Sequence, residues 1–204
     1  MKTYNSDHIN DLKREIIQGN KKALTLLYKE YFSKLKYYGI QLIQSKTPIS
    51  IDDVIQDLFL WIASNPEKLK DVSNLEVYLF VSLKTNLYNK LHLQKSRVAI
   101  KDRYDLSQNL RNQSSESSVE QQYIDIESKQ LANSAVNTLL DQLPPAQKQV
   151  LYLRNYANLN YKEIAQIMDL SEQVARNYAY RALINLQKKA NNNSNLRSEL
   201  GGIS

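Results

Sequence analysis

The sequence predicts an all-α protein, and three observations predict it. Apolar residues recur at three- and four-residue spacing over long stretches, the period of one helix face. Glycine and proline are scarce, four of each in 204 residues, so little interrupts a helix. β-Branched residues are not gathered into alternating runs, and Leu, Lys, Gln, Asn and Tyr dominate instead. The expected architecture is two small helical domains joined by a flexible linker, the C-terminal one a helix-turn-helix.

In chain order, residues 8–19 read as a helix with Ile9, Leu12, Ile16 and Ile17 on one side, stopped by Gly19-Asn20, which tolerate a left-handed backbone. A second helix over about 20–44 carries Ala23, Leu24, Leu27, Tyr28, Tyr31, Leu35, Tyr38 and Leu42, with lysines on its outer face. Pro48 breaks the chain, and Ser50 is the expected N-cap of the next helix, with Asp52 and Asp53 in its first turn. That helix runs to about Ser64 and presents two different faces. Ile55, Leu58, Phe59 and Ile62 form a core stripe, while Asp53, Gln56, Asp57 and Leu60 follow the same spacing half a turn away. A purely solvated face would mix in Lys or Arg and would not need Leu60, so this one reads as kept for a basic partner.

A further helix over 74–93 has Phe80, Leu83, Leu87 and Leu91 as its buried line. Ser82, Thr85, Asn86, Asn89 and His92 lie along another side, near Lys84, Lys90, Tyr78 and Tyr88. Amides bond base edges, aromatics stack on bases and lysines neutralise phosphates, although a solvated helix face has the same composition. Residues 96–120 lose the pattern, and the polar Arg111–Ser118 reads as linker. Periodicity returns near Val119 and ends at Pro144-Pro145. The expected division is a domain over 8–95, an acidic linker over 96–128, a second domain over 129–190 and a disordered tail over 191–204.

The C-terminal block carries the most specific pattern. Pro145 suits the first turn of a helix that packs Val150, Leu151 and Leu153 inward. After a loop at Asn158–Asn160, Tyr161–Met168 makes two turns that bury Ile164, Ala165 and Met168. Asp169-Leu170 turns, and Ser171 caps a last helix carrying Val174, Ala175, Tyr178, Ala182, Leu183 and Leu186. Two helices joined by a tight turn at small Ala165 make a helix-turn-helix. Glu172, Gln173, Arg176 and Asn177 then stand where a recognition helix meets base edges, with Arg181, Lys188 and Lys189 placed for phosphates.

Charge and composition bound the function. The net charge is +6, which favours a polyanionic partner. No acid lies between Glu76 and Asp102, residues 102–141 are acidic, and the chain beyond Leu151 is basic. The absence of cysteine excludes a disulfide framework and a thiolate metal site. No apolar run nears the roughly 18 residues of a membrane span, and the polar start is unlike a secretory signal, so a cytoplasmic location without a membrane partner is expected. Neither His8 with His92 nor the four glycines can build a metal or phosphate site. The carboxylates at 52, 53 and 57 fit capping and partner binding better than magnesium. No enzyme, cofactor or metal is expected.

The motif from Leu143 to Arg154, followed by Tyr161-Lys162-Glu163-Ile164-Ala165 and Ser171-Glu172, resembles the C-terminal DNA-binding domain of bacterial sigma factors. Asp53, Gln56, Asp57 and Phe59 resemble the core-polymerase-binding helix of the same family. Together, over roughly residues 10–95 and 130–190, the chain is similar to sigma factors of the extracytoplasmic-function type. The resemblance implies that Asp53, Gln56, Asp57 and Leu60 dock on a coiled coil of the polymerase β′ subunit, with the β flap as a second contact. It implies that Lys84, Asn86, Asn89, Lys90 and His92 face the −10 promoter element. It implies that Ser171, Glu172, Gln173, Arg176 and Asn177 read the −35 element, with Arg181 on phosphate. An anti-sigma factor is the implied inhibitory partner, and the acidic linker would thread polymerase channels that RNA otherwise occupies.

Departures from the family pattern, Asn89 and His92 after Asn86 and Val174-Ala175 in the recognition helix, predict few base-specific contacts. A second DNA-bound protein would then help to place the chain. The alternative is a helix-turn-helix regulator that is not a polymerase subunit. It would share the C-terminal block but have no use for the face around Gln56.

Overall fold

The computed structural model describes residues 3–43, 49–105 and 139–192. All regular structure among them is helical. Helices α1 (Thr3–Ile17), α2 (Lys21–Leu42), α3 (Ile51–Ser64) and α4 (Leu75–Asp105) build the N-terminal unit, with a 3-10 turn over Pro66–Asp71. Helices α5 (Pro145–Asn155), α6 (Tyr161–Met168) and α7 (Glu172–Asn192) build the C-terminal one.

Local chemistry sets most of these boundaries. Gly19 adopts φ +84°, which ends α1, and the Asn20 side chain then accepts from Lys22 N–H to start α2. Ser50 Oγ accepts from Asp53 N–H at 3.2 Å, with Asp52 and Asp53 against the positive end of α3. Asn65 closes α3 through its own N–H, and Pro66 opens the turn that drops Leu69 into the core. Asn74 Oδ1 accepts from Val77 N–H and starts α4.

The N-terminal core is built from Leu27, Tyr31, Leu35 and Tyr38 of α2, Ile55 and Ile62 of α3, and Leu79, Phe80, Leu83 and Leu87 of α4. Edge-on aromatic pairs, Tyr28 with Phe59 and Tyr38 with Phe80, lock α2 to its neighbours. Gly39 sets the α2–α3 approach, because a Cβ there would stand 2.7 Å from Ile51 Cγ2. In the C-terminal unit the small faces of Ala175, Ala179 and Ala182 let α7 come close to its neighbours. Asn158 and Asp169 hold left-handed backbone at φ +59°, a conformation that Asn and Asp tolerate better than other side chains.

The two units touch. One apolar cluster runs from α1 through α4 into α5, α6 and α7. Tyr152 Oη donates to Lys34 O at 2.7 Å, and its ring stacks on Tyr37 with centroids 4.6 Å apart. Lys84 Nζ donates to Ile167 O at 3.0 Å, and Asn74 Nδ2 donates to Glu163 Oε1 at 3.1 Å.

Some expectations change. Helix α4 continues to Asp105, through the residues from 96 onward that lacked periodicity, because nothing in Ser96–Asp105 breaks a helix. Leu183 is 58% exposed, at the edge of the stripe set by Ala175, Ala179 and Ala182. Leu91 and Met168 are half-buried, and Ile167 takes the inward position beside Ile164. The rest of the linker, the helix expected from Val119 up to residue 138, and the tail from 193 lie outside the described residues.

Candidate functional site

The first surface is the outer face of α3. Its inward stripe, Ile55, Leu58, Phe59 and Ile62, is buried, which turns Asp53, Gln56, Asp57 and Leu60 out together. Leu60 is 64% exposed, an apolar side chain displayed among carboxylates and an amide. Gln56 and Leu60 also line an open groove of about 340 Å³ between α2 and α3, floored by Leu24, Tyr28 and Phe59. The face therefore combines charge with a slot for an apolar side chain. Asp52 is set apart from it, with its carboxylate on Lys36 at 2.9 Å.

The second surface is the polar side of α4. Thr85, Asn89 and His92 are exposed, Asn86 is half-buried, and Tyr88 is 47% exposed. Both lysines of this face are engaged, which the sequence did not reveal. Lys84 reaches the carbonyl at the C-terminal end of α6, and Lys90 Nζ lies 2.7 Å from Asp57 Oδ2 on α3.

The third surface is the tip of α7. Ser171 Oγ accepts from Val174 N–H at 3.3 Å, so this side chain serves the cap. Glu172, Gln173, Arg176 and Asn177 are all exposed at the first turns, and Arg181 is exposed beyond them. The tip is internally organised: Glu172 pairs with Arg176, and Gln173 Nε2 donates to Asn177 Oδ1 at 3.3 Å. Arg176 also lies over the Tyr161 ring, 4.7 Å from its centroid, and Arg154 lies 5.0 Å from the same centroid. Tyr161 supports Arg176 from outside its helix, and Arg154 lies on the same ring. Only tertiary contact assembles them, and no spacing in the sequence announces it.

A buried carboxyl lies in the first turn of α4. Glu76 is 9% exposed and accepts from Tyr31 Oη at 3.0 Å. Burial pushes its proton affinity above the ordinary carboxyl range, while the Tyr31 hydroxyl and Lys34 oppose the shift and Glu163 adds to it. Burial also raises the hydroxyls of Tyr31, Tyr38 and Tyr152, so all three act as neutral donors or packing groups. Among the described residues no cluster of His, Asp or Glu is arranged to hold a metal ion, and no helix is long and apolar enough to cross a membrane.

Residues 134–186 match the family described as Sigma-70, region 4. No curated protein sequence matches the chain. Among solved structures it is similar to CnrH in complex with the cytosolic domain of CnrY, at 18% identity and a TM-score of 0.56, covering 93% of this chain and 99% of that one. It is also similar to the sigma factor RpoE of Bartonella quintana in complex with the anti-sigma factor NepR, at 18% identity and a TM-score of 0.49, covering 79% and 94%. The region 4 match falls on the helix-turn-helix built by α5, α6 and α7, about a quarter of the chain.

Proposed function

We propose that this chain is a sigma factor of the extracytoplasmic-function type, which binds core RNA polymerase in the cytoplasm and directs it to promoters. It acts by binding, with no catalytic chemistry of its own. Asp53, Gln56, Asp57 and Leu60 dock on a basic coiled coil of the β′ subunit, and the C-terminal unit meets the β flap. Lys84, Asn86, Asn89, Lys90 and His92 serve the −10 element. Glu172, Gln173, Arg176 and Asn177 serve the −35 element, with Ser171 shaping the tip and Arg181 on phosphate.

The observation that carries this reading is a pairing within one chain. A region 4 helix-turn-helix occurs together with an α3 face whose acids, amide and Leu60 are all exposed. A regulator that only binds DNA has no use for the second part. The internal bonding of Glu172 with Arg176 and of Gln173 with Asn177 supports weak intrinsic base reading, since it competes for groups that a bidentate base contact would use. Recruitment by another DNA-bound protein would supply the missing affinity. An anti-sigma factor is the expected inhibitor.

Reconstituted transcription with core polymerase tests the reading, run with the wild-type chain and with Gln56→Lys/Asp57→Lys. The double variant is expected to lose polymerase association and initiation while binding duplex DNA at least as well as the wild type does. Undiminished polymerase association would refute the assignment of the α3 face.

A further inference from the structure

Two residues that serve different partners are bonded to each other. Asp57 stands on the polymerase-facing side of α3, and Lys90 stands on the DNA-facing side of α4, with Lys90 Nζ 2.7 Å from Asp57 Oδ2. From this geometry we infer that Asp57 holds Lys90 away from DNA until a basic partner on α3 takes the carboxylate, so that polymerase docking hands one lysine to the promoter strand. The inference rests on the sigma-factor reading and adds a link between its two surfaces.

Several features make the exchange feasible. Both side chains are partly open to solvent, at 41% for Lys90 and 57% for Asp57, so either can swing to a new partner without unburying a charge. An exposed pair of this kind is weak, and a stronger local charge on either side displaces it. Asp57 is flanked on the same face by Asp53, Gln56 and Leu60, so a partner seated there brings its cations within reach of this carboxylate. Lys90 is flanked by exposed Asn89 and Tyr88, groups that bond and stack on single-stranded bases. The other lysine of the face, Lys84, is tied to Ile167 O, a neutral acceptor, and its release does not depend on α3. Asp53, exposed and one turn away on the same face, makes no ion pair among the described residues and provides the charge-matched control.

The test uses the full chain without polymerase, titrated by anisotropy against a labelled mixed-sequence single-stranded DNA, because a phosphate contact needs no particular sequence. Asp57→Asn is expected to tighten binding by about twofold to fivefold, the range an exposed ion pair supports. Asp53→Asn, with the same change of charge, is expected to do less than half as much. Lys90→Gln alone is expected to change binding by less than about twofold, because Asp57 already holds this lysine, whereas in the Asp57→Asn background it lowers the magnitude of the salt slope by about 0.7, one phosphate on a single strand. Asp57→Asn added to Lys90→Gln is expected to gain no more than Asp53→Asn does. A gain from Asp53→Asn equal to that from Asp57→Asn, or a gain from Asp57→Asn that survives undiminished in the Lys90→Gln background, means that net charge alone acts and overturns the inference. Polymerase association of the wild-type chain is measured in parallel. Its absence would refute the sigma-factor reading, whereas the DNA-binding cycle reports on the pair by itself.

Discussion

Glu76 is the one acidic side chain buried among the described residues, and its sequence position does not advertise this. It follows Leu75 at the start of α4, where an acid would ordinarily sit in solvent against the helix dipole. Burial raises its proton affinity, so the folded chain holds this proton more tightly than the unfolded chain does. The stability it contributes is therefore greatest below the ordinary value of 4.5 and is lost as pH rises through the higher folded value. Glu76→Gln keeps an acceptor for Tyr31 and removes the titration. Its urea midpoint is expected to gain on the wild type as pH goes from about 4.5 to 7, and parallel profiles for the two proteins would place the effect elsewhere. Other residue-level features were legible. The exposed Asp53, Gln56, Asp57 and Leu60 stand where their spacing put them, because one buried stripe determines the direction of every other side chain on a helix.

At the scale of elements, capping explains both what was readable and what was missed. Ser50 and Ser171 cap α3 and α7 as their sequence contexts predicted. Asn160 was read only as loop, yet it forms a capping box with Glu163: Asn160 Oδ1 accepts from Glu163 N–H at 2.9 Å, and Glu163 Oε2 accepts from Asn160 N–H at 2.7 Å. Helix α6 has eight residues, too short to persist by its own propensity, so it depends on this box and on packing. Asn160→Ala is expected to cost about 1 kcal/mol of stability in chemical denaturation. A change below about 0.3 kcal/mol would mean that packing alone holds α6. The same Glu163 carboxylate accepts from Asn74, the cap of α4, so the starts of two helices in different units are tied together. The far end of α4 was misplaced for the opposite reason. It has no breaker, and periodicity alone does not report a helix that lacks an apolar stripe.

For the whole molecule, contact between the two units has a functional consequence. On the proposed reading the two units serve the −10 and −35 elements, ~25 base pairs or about 85 Å apart at 3.4 Å per pair. Lys84 of the second surface is bonded to Ile167, and the five-residue step from Ile167 to Glu172 at the tip of α7 spans at most about 18 Å. The chain in this arrangement cannot touch both elements, so promoter engagement requires the units to part. Among the described residues, the hydrogen bonds that must break are Tyr152 to Lys34, Lys84 to Ile167 and Asn74 to Glu163, together with the apolar contact around them. The chain has no cysteine, so cysteines introduced at exposed Lys70 and Gln187 provide specific labels. The distance between them is expected to grow by tens of ångströms when core polymerase and promoter DNA are added. An unchanged distance in an initiating complex would contradict the need for parting.

The sequence by itself determined the all-helical class, the helix-turn-helix, the two caps with side-chain hydroxyls and the outward face of α3. All of these follow from local periodicity and near-neighbour hydrogen bonds, which a linear pattern carries. Only the tertiary structure decided that Glu76 is buried, that Tyr161 lies under Arg176, and that α6 rests on α4. It alone decided that Lys84 and Lys90 are already occupied. Each of these joins residues far apart in the chain, from 15 positions between Tyr161 and Arg176 to 89 between Asn74 and Glu163. Side-chain partners at such distances are chosen by how helices pack, which depends on the shapes of whole faces rather than on the spacing within any one of them.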